Sequence, residues 1–92
     1  MAELFEVKII EPDGMFYEGT ASFLEFCSVE GERGVYPNHI PLTTILAPGP
    51  ITIHNLGEKE KASVTGGFIE IQKDKVTILA EDAKWLHKKD SE

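Results

Sequence analysis

Residues 30–42 read Glu-Gly-Glu-Arg-Gly-Val-Tyr-Pro-Asn-His-Ile-Pro-Leu, and this stretch restricts the backbone more tightly than any other part of the chain. It holds two glycines, two prolines, one of the three histidines and the only arginine. Glycine allows backbone conformations that other residues avoid, while proline fixes φ and removes an amide donor. The composition therefore predicts a loop of defined shape.

Short strands are expected on both sides of this loop. Phe5, Val7 and Ile9 alternate with Glu6 and Lys8, which is the pattern of a half-buried strand. Further strands are expected at residues 15–18 (ended by Gly19), 20–28, 41–46 (near an edge), 51–54, 60–65, 68–72 and 76–80, separated by turn residues. The pattern predicts an all-β fold of eight or more short strands in a two-sheet sandwich or flattened barrel, built mostly from antiparallel hairpins.

Alternation within residues 20–28 also assigns faces. If Leu24 and Phe26 point into the core, then Phe23, Glu25 and Cys27 lie on the opposite face. Phe23 is then an apolar residue on the outside, either covered by a neighbouring loop or part of a contact surface.

The end of the chain is polar and lacks strand alternation. We expect a sandwich domain at residues 1–84 and a short polar C-terminal tail at residues 85–92. Ala83 and Leu86 have the spacing of one helical turn, and Trp85 is expected to pack against the edge of the sandwich.

Composition limits the partners. Net charge is −7, and the first fifty residues carry only Lys8 and Arg33 as cations. An acidic chain disfavours nucleic acid and anionic lipid, since both need a basic patch, and a basic protein is a more compatible partner. The single Cys27 favours a reduced, intracellular setting. No apolar run is long enough to span a bilayer, so no direct membrane insertion is expected.

The sequence patterns that would indicate a catalytic, metal-binding or phosphate-binding site are weak. Cys27 and His39 lack the spacing and motifs of a cysteine hydrolase. Glu30, Glu32 and His39 offer metal-ligand atoms, but without the repeated short spacings typical of metal sites. The glycine pairs do not open a helix or precede Lys-Ser/Thr, as a phosphate-binding loop requires. No catalytic residue, cofactor or metal is predicted.

The chain nevertheless resembles the epsilon subunit of F-type ATP synthases over residues 3–83. The resemblance rests on residues 12–14, Phe16 with Gly19, residues 30–42, 48–49, 66–71 and 76–80, in this order and spacing. It implies a non-catalytic, ten-stranded β-sandwich in the central stalk, which links the gamma subunit to the membrane c-ring and helps couple proton flow to ATP synthesis. The implied location is the cytoplasmic or equivalent face of an energy-coupling membrane, held there by the complex.

The resemblance also implies two contact sites. The c-ring contact falls on Ser28, Val29, Glu30, Gly31, Glu32, Arg33 and Gly34, with Glu32 as the acidic contact. The gamma-subunit contact falls on Glu11, His39, Ile40 and Thr44.

Most members of that family continue into a C-terminal helical hairpin, which this sequence does not contain, and we expect a naturally short member. ATP binding and hairpin-mediated inhibition are therefore not predicted. Two other hypotheses remain: a sandwich that binds a small molecule near Tyr36 and His39, and an enzyme that uses Cys27 or His39.

Overall fold

The computed structural model describes residues 3–38 and 40–87. Strands form wherever apolar and polar residues alternate, and short turns join them. The ten strands are β1 (Phe5–Glu11), β2 (Gly14–Ala21), β3 (Phe23–Ser28), β4 (Gly31–Val35), β5 (Leu42–Leu46), β6 (Gly49–Asn55), β7 (Glu58–Val64), β8 (Gly67–Ile71), β9 (Lys75–Ala80) and β10 (Ala83–His87). The prediction of about ten strands in an all-β fold is confirmed.

The strands form two layers that share one hydrogen-bonded path. The first sheet contains β4, β3, β6, β7 and β10, and the second contains β5, β8, β9, β1 and β2. A single pair, Ser28 with Leu46, joins β3 to β5, and the path folds over there. Every pairing is antiparallel except that between β1 and β9. The result is a sandwich whose sheet is nearly closed.

The core lies between the layers because the inward positions of the strands are apolar. Ile9, Ile69 and Ile78 are fully buried neighbours on β1, β8 and β9. The predicted faces of β3 are confirmed: Leu24 and Phe26 are buried, while Glu25 is exposed. Gly67 lets β8 approach β9, since a Cβ atom there would collide with the carbonyl oxygen of Leu79.

The last strand closes the sandwich. The ring of Trp85 stacks on Phe16 at a centroid distance of 4.9 Å and meets Tyr17 edge-on at 5.6 Å. Trp85 thus packs at the sandwich edge as predicted. Residues 85–87 pair with β7 as part of β10, so the predicted helical turn and a tail starting at residue 85 are wrong. Residues 88–92 lie outside the described residues.

Two other local predictions are wrong. Residues 31–35 are strand β4 rather than loop, because they form a regular ladder with β3. Gly19 does not end β2, since its backbone continues the ladder opposite Val7. The strand predicted near an edge is β5, which is the end strand of the second sheet and is joined to β3 by the single pair of Ser28 and Leu46.

Candidate interaction surfaces

The predicted c-ring contact, residues 28–34, forms the tip and second strand of the β3–β4 hairpin. Ser28 pairs with Gly31, so Val29 and Glu30 form a two-residue turn. The Ser28 hydroxyl accepts a hydrogen bond from Glu30 N at 3.1 Å and donates one to Gly31 O at 2.9 Å. Because Ser28 is buried, these bonds anchor the tip to the sandwich. We call residues 28–34 the β3–β4 hairpin.

The charges of the hairpin are on its surface. The Arg33 guanidinium lies 3.0 Å from Glu30 Oε1, and both side chains are well exposed. Glu32 stands on the adjacent position of β4, across from Cys27, and forms no ion pair within the described residues. Glu32 is therefore the carboxylate of this hairpin that remains available to a cationic partner.

The residues predicted to contact gamma are spread over the second sheet. Glu11 lies where β1 ends, and its Oε2 accepts a hydrogen bond from Ala83 N at 2.9 Å. Ile40 is exposed beyond the opposite end of this sheet, where Asn38 N donates to Lys73 O at 3.0 Å. Thr44 alternates with exposed neighbours and is half-buried. His39 lies outside the described residues, so the structure does not assemble these positions into one patch.

A different surface stands out on the second sheet. Five apolar side chains on adjacent strands are cross-strand neighbours on its outer face, and we call them the apolar row. Four of them are 50% to 54% exposed, and Ile10 is half-buried. In strand order the row consists of Ile45, Phe68, Leu79, Ile10 and Met15.

A shallow groove of about 300 Å³ runs along the middle of the row and is lined by Ile10, Pro12, Phe68 and Leu79. Glu11 and Glu81 stand at its border. Apolar side chains with a polar rim are typical of protein contact surfaces.

The apolar row and the β3–β4 hairpin adjoin each other. Val29 N, at the tip of the hairpin, donates to the carbonyl oxygen of Ile45, the first residue of the row, at 3.2 Å. A second bond, from Ala47 N to Cys27 O at 2.9 Å, holds the same junction. The two surfaces are thus joined directly by backbone hydrogen bonds.

The outer face of the first sheet is arranged differently. Phe23 stacks on Tyr36 with a centroid distance of 4.5 Å and contacts His54 at 5.1 Å. His54 Nε2 lies 2.9 Å from Glu25 Oε1. Of the two alternatives for Phe23, this favours the one in which a neighbouring segment covers it.

A cavity of about 410 Å³ lies beside these aromatic residues. Its lining includes Cys27, Glu25 and Lys61 but not Tyr36. The pocket near Tyr36 and His39 that the small-molecule hypothesis requires stays a prediction, because His39 lies outside the described residues. No group of three or more potential metal-ligating side chains occurs in the part of the chain that the structure describes.

Sequence reasoning missed the apolar row, although a signal was present. Ile69 and Ile71 occupy the inward positions of β8, and so the large apolar Phe68 falls on an outward position. The same test applied to Val76, Ile78 and Leu79 on β9 places Leu79 outward.

The fold and these surfaces define a class of protein: small all-β domains that present contact surfaces on a rigid sandwich. A family model described as "ATP synthase, Delta/Epsilon chain, beta-sandwich domain" matches residues 4–86. The chain belongs to this family, which confirms the resemblance stated from the sequence.

Named relatives agree with the family match. The chain is 42% identical to the ATP synthase epsilon chain of Shouchella clausii over 95% of its own length and 65% of that protein. It is 44% identical to the ATP synthase epsilon chain of Brevibacillus brevis, over 85% of this chain and 60% of that one. The chain therefore spans less than two thirds of the length of these relatives.

The fold is also found in a solved structure titled as the mitochondrial ATP synthase of Euglena gracilis, OSCP/F1/c-ring. The TM-score is 0.86 at 24% identity, covering 98% of this chain and 57% of the matched chain. Among the described residues, no helix has the length and hydropathy needed to cross a bilayer.

Proposed function

We propose that this domain is a non-catalytic coupling element of an ATP synthase central stalk, which links a gamma subunit to the membrane c-ring. The observation that carries the proposal is the junction of two unlike surfaces, one apolar and one charged, through the hydrogen bond between Val29 and Ile45. Family membership supplies the setting. The domain would lie at the cytoplasmic or equivalent face of the membrane, held there by its partners.

The apolar row is the better candidate for the gamma contact. A permanent subunit contact buries apolar surface at its centre, and the row offers side chains from five neighbouring strands. Of the residues predicted from the sequence, Glu11 borders the same groove, whereas Ile40 lies beyond the far end of the sheet. The assignment of Glu11, His39, Ile40 and Thr44 to gamma stays a prediction.

The β3–β4 hairpin suits the c-ring contact because it is firmly anchored and exposes Glu32. An exposed ion pair contributes only about 0.2 to 1 kcal/mol, so several contacts must act together. A hairpin whose tip is held to the sandwich by hydrogen bonds can transmit force without reorganising. This is what a coupling contact requires.

The proposal predicts that Phe68→Ser weakens binding to a purified gamma subunit at least tenfold, or about 1.4 kcal/mol, because it removes a central apolar contact. Isothermal titration calorimetry measures the affinity. Tyr36→Ser is the control: it changes an exposed aromatic on the other face and should leave the gamma affinity unchanged.

The same preparation tests the ring contact. Glu32→Lys should reduce retention of the domain on reconstituted c-ring while gamma binding stays intact. If the Phe68 variant binds gamma as tightly as the wild type, the apolar row is not the gamma surface. If the wild-type domain binds neither partner, the proposed function is wrong.

A further inference from the structure

The charged residues of β7 are sorted between the two faces of the strand. Val64 is buried between the layers, so alternation places Glu60 on the inner side and Lys59 and Lys61 on the outer side. On the inner side Glu60 forms a hydrogen bond with Tyr17. The charged residues on the outer face of β7 are therefore both lysines.

Strand β10 adds a third lysine to this outer face. Ala83 and Trp85 pack on the inner side, so Lys84 between them points outward. We call Lys59, Lys61 and Lys84 the lysine face. None of the three forms an ion pair within the described residues, although the net charge of the chain is −7. The many acidic residues of the chain therefore do not neutralise this face by direct contact.

A threonine beside Lys61 supplies a hydrogen-bond donor. Thr52 of β6 is the cross-strand partner of Lys61, and both line the cavity of about 410 Å³ on this outer face. Thr52 is only 8% exposed, and its hydroxyl makes no hydrogen bond within the described residues. No fully buried polar side-chain atom of these residues lacks a partner, so this hydroxyl opens into the cavity. The hydroxyl and the Lys61 ammonium group can both donate to one bound carboxylate.

The carboxylates that line the same cavity are either bonded or distant. Glu25 lies on the other side of Thr52, and its Oε1 is 2.9 Å from His54 Nε2. Glu32 is on β4, which is separated from β7 by β3 and β6. At physiological salt the Debye length is about 8 Å, so acids on the rest of the domain are screened from a group held at Lys61. The lysine face can therefore attract an anion although the domain as a whole is acidic.

We propose that the lysine face binds an acidic segment of a partner protein, with one carboxylate of that segment held by Lys61 and Thr52. Lys59 and Lys61 are two residues apart on one strand, which is about 6.7 Å, and acidic residues at alternate positions of an extended segment have the same spacing. A nucleic acid or an anionic membrane presents negative charge over a wider area and would also meet the acidic remainder of the domain. A short acidic segment avoids that repulsion.

The lysine face is separate from the two surfaces described above. It lies on β7 and β10 of the first sheet, whereas the apolar row lies on the second sheet and the β3–β4 hairpin on the far side of the first. The segment therefore binds whether or not the domain has the function proposed above.

An NMR titration of the isotope-labelled domain with a peptide of alternating serine and glutamate tests the proposal. The amide signals of Thr52, Lys61 and Lys84 should shift and saturate, while a peptide of alternating serine and glutamine should leave them in place. If the glutamate peptide causes no saturable shift there, the proposal is wrong. Vesicles containing phosphatidylserine form the second arm: if they bind the lysine face and the peptide does not, the partner is a membrane and the proposal is again wrong.

A charge substitution with a matched control tests the role of Lys61. Lys61→Gln should weaken peptide binding about two- to fivefold, the effect of one exposed charge pair. Lys73→Gln removes the same charge in the β8–β9 turn of the second sheet and should leave the affinity nearly unchanged. Equal losses for both variants would show that net charge alone attracts the peptide, and would overturn the proposal.

Substitutions of Thr52 separate binding from stability. Thr52→Val should weaken peptide binding about threefold or more, because one hydrogen bond to a charged group is lost. The urea midpoint should not fall, since the hydroxyl has no partner within the described residues. Thr52→Ser keeps the hydroxyl and should bind like the wild type. If Thr52→Val binds as tightly as the wild type, or Thr52→Ser as weakly as Thr52→Val, the site at Thr52 and Lys61 is wrong.

Discussion

The outer faces of both sheets carry exposed apolar residues, but these residues are arranged differently. On one face they stack on each other, and on the other face they lie side by side and point outward. On the first sheet, the rings of Phe23 and Tyr36 stack on each other and His54 packs beside them. On the second sheet, Ile45, Phe68 and Leu79 stand side by side and face outward. The first arrangement stabilises the domain itself.

The difference shows that exposure alone does not identify a contact surface. Tyr36 is 63% exposed and Phe68 is 54% exposed, yet their surroundings differ. One face of the Tyr36 ring is used within the domain, and Gly34 leaves room for Phe23 beneath it, since a Cβ atom at residue 34 would collide with the Phe23 ring. Phe68 instead lies between Ile45 and Leu79 in the apolar row and faces outward. Substitutions on the two faces should separate a role in stability from a role in partner binding.

The largest difference in the free energy of unfolding is expected between substitutions on the two faces of β8. Ile69→Ala should lower the free energy of unfolding by about 2 to 5 kcal/mol, because it opens a cavity at a fully buried position. Phe68→Ser, on the next residue and the opposite side, should change it by less than about 0.5 kcal/mol. Urea denaturation measures both. A comparable loss for Phe68 would mean that the apolar row packs within the domain.

A moderate effect is expected at the aromatic stack. Tyr36→Ala should lower the free energy of unfolding by about 0.5 to 1.5 kcal/mol through loss of the stacking partner of Phe23. Leu79→Ala, on the other face, should leave stability nearly unchanged while weakening gamma binding. The contrast between the faces fails if Leu79→Ala proves the more destabilising of the two.

The smallest effect is expected at Tyr17, where the edges of the two sheets meet, and it concerns how stability depends on pH. Burial raises the pKa of Tyr17 above its usual value near 10, and the negative charge and hydrogen bond of Glu60 add to this. Folding favours the neutral phenol, so this contribution to stability is complete below pH 10 and is lost as pH rises through the folded-state pKa. Tyrosinate absorbance, with Tyr17→Phe to assign the signal, follows the titration.

Replacing Glu60 sharpens that test. Glu60→Gln should lower the Tyr17 pKa part of the way, because burial, the largest cause, remains. A Tyr17 that titrates at its usual pKa in the wild-type domain would show that the space between β2 and β7 is open to water.

Sequence patterns predicted most strands because their apolar residues alternate. β1, β8 and β9 follow this rule, and each buries its inward residues. β4 was missed because two glycines and two charged residues give it neither alternation nor high β-propensity. It becomes a strand through its ladder with β3. β10 was missed for a related reason, since Trp85 finds its partners, Phe16 and Tyr17, far away in the chain.

The candidate contact sites also divide into those that the sequence could group and those that only the sheet register brings together. Residues 28–34 are contiguous, and the resemblance grouped them as one contact site. The structure places them on one hairpin, and their contact with the c-ring stays a prediction. Glu11, Ile40 and Thr44 are separated along the chain, and the register of the second sheet puts Glu11 at one end of the sheet and Ile40 beyond the other. The apolar row joins five strands, and no local pattern contains it.

The stretch at residues 30–42, together with the other matching segments in their order and spacing, decided the family, and the alternation around it decided the all-β class. Those properties are local, because side-chain periodicity and turn chemistry act over a few residues. Tertiary structure alone decided which strands became neighbours and which apolar residues met on one face. Strand register and sheet order place distant residues side by side, so they depend on how the whole core packs.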